Sequence, residues 1–243
     1  MDPQLIWVIL VVACASFIQS VSGFGFGIFA MIFLPHLMQY TEANVLSSIL
    51  GSLTSIGVCL TLFRHISFRN LWFPFIGCTL TTILAVSFVK TQKNETLTLL
   101  LGFALVLLSL YFFFFSSKIK IKPTWYAGLL AGLLSGIMSG MFSMGGPPVV
   151  VYFVQTEKDS EHYLATISAY FVLTSIVSIS SKVAAGFVTA MVGLAIAIGL
   201  VGLVLGAIIG KCTREKINPQ LLKKLVYAIM AASGVVNIVT SLL

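Results

Sequence analysis

The chain has 243 residues, 58% of them hydrophobic and only 9% charged, against about 45–50% and about 25% in an ordinary soluble domain. Mean hydropathy is +1.07, and uncharged runs such as 3–41, 43–63, 70–89 and 96–117 exceed the roughly 18 apolar residues that mark a membrane span, which excludes a soluble protein. The net charge of +7 reads, in such a chain, as loop orientation, so the expected partner is the lipid bilayer and not nucleic acid.

At the start, Met1-Asp2-Pro3 has no basic n-region and the apolar stretch behind it is too long for a signal h-region, so residue 1 is expected to belong to the working protein. Charged residues then divide the chain into apolar blocks at about 4–38, 43–63, 70–89, 96–117, 124–156, 163–181, 183–210 and 225–243. A helix crosses a core of about 30 Å in about 20 residues. The first and fifth blocks are far longer than that, and both are predicted to break or fold back near their glycines. These are Ser22-Gly23-Phe24-Gly25-Phe26-Gly27 in the first and Ser139-Gly140-Met141-Phe142-Ser143-Met144-Gly145-Gly146-Pro147-Pro148 in the fifth. The arm from Gly145 to Thr156 is short for a span and is expected to re-enter.

The two long blocks open two similar halves. Ser22-Gly23 matches Ser139-Gly140, Arg64 matches Lys182, and Lys90-Thr91-Gln92-Lys93 matches Lys211-Cys212-Thr213-Arg214 at nearly constant offset. The halves are 1–117 and 124–243, joined by a basic linker at 118–123. If every block crosses once, Lys and Arg divide almost evenly between the two sides. If blocks one and five each return, all but Lys90, Lys93 and Lys182 share one side, as the bias of basic loops toward the cytoplasm requires. The linker is then cytoplasmic and both termini lie outside. The predicted fold is an all-α integral membrane protein of two inverted-topology repeats, each a broken hairpin followed by three transmembrane helices.

Trp7, Trp72 and Trp125 sit near block ends and read as headgroup anchors, and Phe112 to Phe115 as lipid-facing or packing surface. His36, His65 and His162 read as interfacial. Cys14, Cys59, Cys78 and Cys212 form no CxxC or Cys/His cluster and read as small buried hydrophobes. No metal or cofactor is expected.

Broken helices in a bilayer survive only where protein or a polar cavity covers them. Glycines at 23, 25, 27, 140, 145 and 146 permit unusual backbone and close approach, and Pro147 and Pro148 suit the first turn of a new helix. A half-helix starting there offers N–H groups and a positive dipole end to an anion. Ser20, Ser22, Ser139 and Ser143 add hydroxyls and Gln19 an amide. The same small residues also serve tight helix packing. Asn44, Ser47, Ser48, Thr54, Ser55, Thr166, Ser168, Tyr170, Thr174 and Ser175 are candidate cavity lining. All seven acids fall at block ends or in loops, so no buried carboxylate is expected for a proton relay or cation cage. Arg64 and Lys182, paired across the repeat, read either as entry residues for an anion or as snorkelling anchors.

These motifs, the two-half layout and the chain size resemble the sulfite exporter TauE/SafE family of mostly bacterial inner-membrane proteins, over essentially the whole chain. The resemblance implies transport of sulfur-containing anions such as sulfite or sulfonates, and carries Gly25, Gly27, Gly145, Gly146 and Pro147 onto the substrate site. Where many relatives run several glycines together this chain has Gly25-Phe26-Gly27, so Phe26 is expected to narrow that half of the site. The expected function is a small-anion transporter working by alternating access. A channel-like pathway and a membrane accessory subunit are the alternatives. An enzyme is disfavoured, since no HExxH, GxSxG, intramembrane acid pair or metal spacing is present.

Overall fold

In lipid every backbone N–H and C=O must be satisfied within the protein, which a chain this apolar achieves by folding into helices. The structure is a computed structural model describing residues 3–22, 24–114, 124–213 and 219–242. Its helices are α1 (Pro3–Ser22), α2 (Phe26–Phe33), α3 (Tyr40–Thr61), α4 (Phe68–Thr91), α5 (Asn94–Phe114), α6 (Trp125–Phe142), α7 (Gly146–Thr156), α8 (Ser160–Ala184), α9 (Ala190–Thr213) and α10 (Pro219–Leu242). Short 3-10 turns follow α2 at Leu34–His36 and α3 at Phe63–His65. Among the described residues there is no strand, and seven helices are long and apolar enough to cross a membrane: α3, α4, α5, α6, α8, α9 and the Lys224–Leu242 part of α10. The basic linker 118–123 lies outside the described residues.

The long first and fifth blocks are each two helices. α2 has 8 residues and α7 has 11, about 12 and about 17 Å of helix, or roughly half a bilayer core. α7 folds back along α6: Gly145 lies against Ser135 and Ser139, and Tyr152 against Gly128 one arm-length later. α2 descends along α3, with the Phe26 ring on Gly51 and the chain re-entering α3 at Tyr40.

Close glycine contacts give the directions of the long helices. Gly132, Gly136 and Gly140 of α6 meet Pro74, Cys78 and Ala85 of α4, so α4 and α6 run parallel. Gly202, Gly206 and Gly210 of α9 meet Ile9, Ala13 and Phe17 of α1, so these two also run parallel. α5 and α10 are antiparallel, through Gly102 against Gly234 and Ser109 Oγ donating to the Tyr227 carbonyl at 2.8 Å. α3 and α8 are antiparallel as well, from His65 beside Glu161 at one end to Ser48 beside Lys182 toward the other. The bundle therefore has a His65 end, where α4, α6 and α8 begin and α7 stops. At the opposite, Glu42 end, α3 and α9 begin and the α2 arm stops.

The seams between helices are built from absent side chains. A Cβ on Gly132 would run into the Pro74 backbone, and one on Gly206 into the Ala13 carbonyl, so the backbones approach as far as glycine alone allows. Apolar residues on the outer faces stay exposed, Trp7, Trp72 and Trp125 among them.

Local chemistry trims the helix ends. Asp159 caps α8 by accepting from the Glu161 and His162 N–H groups at 3.0 and 2.9 Å, and these bonds hold its carboxyl below the usual carboxylate range. Gln39 and Glu42 form a capping box on α3. Glu42 departs from expectation, because it is buried, and its Oε1 accepts from Thr189 Oγ1 at 2.6 Å. An acid at a block end is thus tied to the segment leading into α9. The cysteines also depart: Cys78 is buried, but Cys14 and Cys212 lie exposed. Phe112 is a packing residue, its ring stacked on Tyr227 at 4.7 Å, whereas Phe113 and Phe114 face outward.

Candidate functional site

The two breaks meet each other. A Cβ on Gly27 would coincide with the Ser143 carbonyl, so the first turn of α2 rests on the turn between α6 and α7. Gly25, before α2, has φ 109, a left-handed value that only glycine adopts without strain. Ser143 ends α6 with φ 55, left-handed in a residue that carries a side chain. Its side chain repays the strain: Ser143 Oγ lies 2.7 Å from the Asn44 carbonyl, 2.9 Å from Asn44 Oδ1 and 2.8 Å from Ser48 Oγ. Asn44 Nδ2 and Tyr40 Oη in turn donate to the Met141 carbonyl at 2.5 and 2.7 Å. α3 therefore holds the break between α6 and α7.

Beside this junction lies a cavity of about 90 Å³, enough for a small polyatomic anion or a few waters. Its wall is α1 at Gln19, the first break from Phe24 to Ile28, α3 from Ser47 to Ser55, and α6 at Ser135, Ser139 and Ser143. The second break from Met144 to Pro147 and α8 from Tyr170 to Ser178 close it. Both half-helices begin at this wall. The Phe26 N–H donates to Gln19 Oε1 at 3.2 Å, and Gln19 Nε2 donates to Thr54 Oγ1, so Gln19 caps α2 across the cavity wall. The Gly27 and Ile28 N–H groups that follow have no intrahelical acceptor. α7 is the poorer donor. Pro147 and Pro148 stand where its second and third N–H groups would be, which leaves the Gly146 N–H and the dipole.

The hydroxyls are not all engaged. Tyr170 Oη donates to Ser135 Oγ at 2.8 Å, and Ser135 Oγ to the Gly145 carbonyl at 2.5 Å, which pins the second break. Ser47 and Ser178 are buried, line the cavity, and have side-chain oxygens without a hydrogen-bond partner.

Of the residues expected at the site, Gln19, Gly25, Phe26, Gly27, Ser139, Ser143, Gly145, Gly146 and Pro147 all line the cavity. Gly23 and the side chain of Ser22 lie outside the described residues. Gly140 does not line the cavity: a Cβ there would meet Ala85 and the Thr82 carbonyl of α4, at the helix seam. Arg64 sits exposed in the turn after α3, far along the bundle from the cavity. Lys182 is not its counterpart. The lysine is 0% exposed and its Nζ donates to Ser48 Oγ at 2.6 Å, Ser143 Oγ at 2.9 Å and the Ser139 carbonyl at 3.3 Å. A snorkelling anchor would reach outward; this ammonium is drawn into the junction by three oxygens. The expected lining residues divide too. Asn44 holds the junction from behind, and Thr166 Oγ1 accepts from the Ser67 N–H at the His65 end, whereas Ser47, Ser48, Ser55, Tyr170, Thr174 and Ser175 line the cavity.

A family model for the sulfite exporter TauE/SafE proteins matches residues 8–236. The chain belongs to this family. No curated protein and no solved structure matches it. The TauE/SafE match includes both breaks and the helices α3 and α8 that wall the cavity, and with its apolar helices the chain is a membrane transporter of that family. What sequence reasoning missed in this TauE/SafE protein is the burial of Lys182. A signal was present: α8 carries Ser175, Ser178 and Lys182, separated by three and four residues, on one face.

Proposed function

We propose that this TauE/SafE protein carries a small sulfur-containing or organic anion, such as sulfite or a sulfonate, out of the cell by alternating access around the central cavity. The observation that carries the reading is the meeting of two broken hairpins, one from each half, at one hydroxyl-rich cavity onto which both half-helices open. Peptide dipoles and N–H groups offer partial positive charge there, and among the described residues no carboxylate lines it. The substrate residues are Gln19, Ser22, Gly23, Gly25, Gly27, Ser139, Ser143, Gly145, Gly146 and Pro147. Phe26, packed on Gly51, closes the cavity on its α2 side, and Arg64 draws anions toward the His65 end.

The two halves, 1–117 and 124–243, are inverted repeats on this reading. Exchanging α1–α5 for α6–α10 turns the α4–α6 pair into α9–α1 and maps α3–α8 and α5–α10 onto themselves. Each hairpin returns to the end it entered from, at opposite ends of the bundle. Arg64, Arg69, Lys158 and Lys211 gather at the His65 end, which supports reading that end as cytoplasmic in a bacterial inner membrane and the termini as periplasmic. Rocking of one half against the other then exposes the cavity alternately.

The test is uptake of labelled sulfite and a panel of small sulfonates into proteoliposomes, with empty and Gly146→Leu vesicles as controls. Saturable uptake lost in the variant supports transport through this cavity. Uptake that rises linearly with concentration favours a channel-like pathway. No uptake with any anion, from folded protein, turns the reading toward an accessory subunit.

A further inference from the structure

A lysine inside a bilayer is expensive. Lys182 stands in the last turn of α8, yet its ammonium is turned into the protein, where such a group normally has an acid beside it. Lys182 has none: among the described residues the ion pairs are His65 with Glu161 and His162 with Asp159, both at the other end of the bundle. Its three neighbours are neutral oxygens, and two of them, Ser48 Oγ and Ser143 Oγ, belong to residues that line the cavity.

Counting protons shows what this does. An ammonium has three to give and accepts nothing, while a hydroxyl has one to give and two lone pairs. Lys182 spends all three, on Ser48, Ser143 and the Ser139 carbonyl. The Ser143 proton goes to Asn44, by way of its carbonyl or its Oδ1. Ser48, already accepting from the lysine, retains its own proton for Ser143 Oγ or for a guest in the cavity. One turn before Lys182 on the same face of α8, Ser178 has a buried hydroxyl with no partner, and Ser47, next to Ser48, has another. This wall has protons to offer and a positive charge behind them.

We propose that Lys182 is the residue that makes the cavity select anions. It orients Ser48 as a donor beside the unpartnered hydroxyls of Ser47 and Ser178, and its charge is neutralised by the oxyanion that binds them. The inference rests on the transport reading above and adds the determinant of charge selection. Lys182 also ties α8 to α3 and to the α6–α7 turn. An oxyanion that accepts the Ser48 proton takes that bond from Ser143 Oγ, so binding removes one link between α3 and the α6–α7 turn while the Lys182 bonds stay.

The experiment compares wild type with Lys182→Gln, Lys182→Arg and the double variant Ser47→Ala/Ser178→Ala in proteoliposomes loaded with labelled sulfite. Unfolding temperatures of each in detergent are measured with and without sulfite. All three ammonium protons stay on protein oxygens, so Lys182→Gln removes the charge behind the serine donors and not a bond to the anion, and it should raise the sulfite KM by about tenfold. Lys182→Arg should recover part of that loss. The double variant breaks no existing hydrogen bond, so it should fold as wild type does and raise KM without a matching fall in maximal rate. Sulfite should raise the unfolding temperature of wild type and leave that of Lys182→Gln unmoved. A Lys182→Gln protein with wild-type KM and wild-type stabilisation by sulfite overturns the proposal. If that variant does not fold, the double variant decides, and an unchanged KM overturns it equally. Absence of flux in wild type strikes instead at the transport reading.

Discussion

Gly27 is the second residue of α2 and Gly146 the first of α7, and they differ in what limits them. At Gly27 an added methyl collides with the Ser143 carbonyl, a backbone atom that has nowhere to go; at Gly146 the nearest atom is the Phe171 ring at 3.5 Å, an ordinary contact. Gly27→Ala should therefore cost about 1–3 kcal/mol through overpacking, seen as a lower unfolding temperature in detergent together with lost flux. Gly146→Ala should unfold where wild type does while flux falls, because its methyl group stands at the mouth of α7. Equal destabilisation of both variants would refute this account of the two positions. Both glycines were readable as special from the sequence; the reason for each was not. Gly27 faces a residue of the other half, and nothing in the chain near Gly27 announces Ser143. Lys182 was hidden in the same way. It stands at what looks like the end of an apolar block, and its hydroxyl partner Ser48 is 134 residues away.

At the scale of elements, the broken hairpins were legible because an uninterrupted helix through block one or block five would overrun the bilayer. The seams between helices were legible in principle and went unread: Gly128, Gly132, Gly136 and Gly140 recur every fourth residue, which puts all four on one face of α6. Two glycines serve as controls. Gly132→Val and Gly206→Val should each prevent accumulation of folded protein in the membrane, measured by size-exclusion profile, because each Cβ would meet backbone of the neighbouring helix. Gly193, inside α9 with nothing within 4 Å of an added methyl group, should accept Ala. That change should stabilise the protein by up to about 1 kcal/mol from helix propensity. The cap of α8 is pH-dependent. With the Asp159 carboxyl held below its ordinary range, the stabilisation it gives is present at neutral pH and is lost as acid titrates through that lowered value. Asp159→Ala should thus lower the unfolding temperature at pH 7, and the gap from wild type should close in strong acid.

For the whole molecule, the arrangement of charges carries the prediction. A periplasm-active reporter fused to the C-terminus should give signal, and one fused between α3 and α4, near Arg64, should not. Signal only from a cytoplasm-active reporter at the C-terminus would reverse the orientation. The bias of Lys and Arg pointed to the return of both hairpins, because of the two threadings compared only that one gathers most basic residues on one side. The pairing of α1 with α9 and α4 with α6 was not readable, since it joins segments more than fifty residues apart through faces that carry no charge.

The half-length arms have an electrical consequence. α2 and α7 each reach only partway through the bilayer, so the layer of broken backbone where they meet is thin compared with the membrane. On the transport reading, voltage falls mainly across whatever separates the two aqueous sides, which would be the junction of Gly27 and Ser143. An inside-negative potential of 100 mV is worth about 2.3 kcal/mol per elementary charge. A monovalent anion leaving through this layer would be driven out against a concentration ratio of roughly fiftyfold, with no coupling ion required.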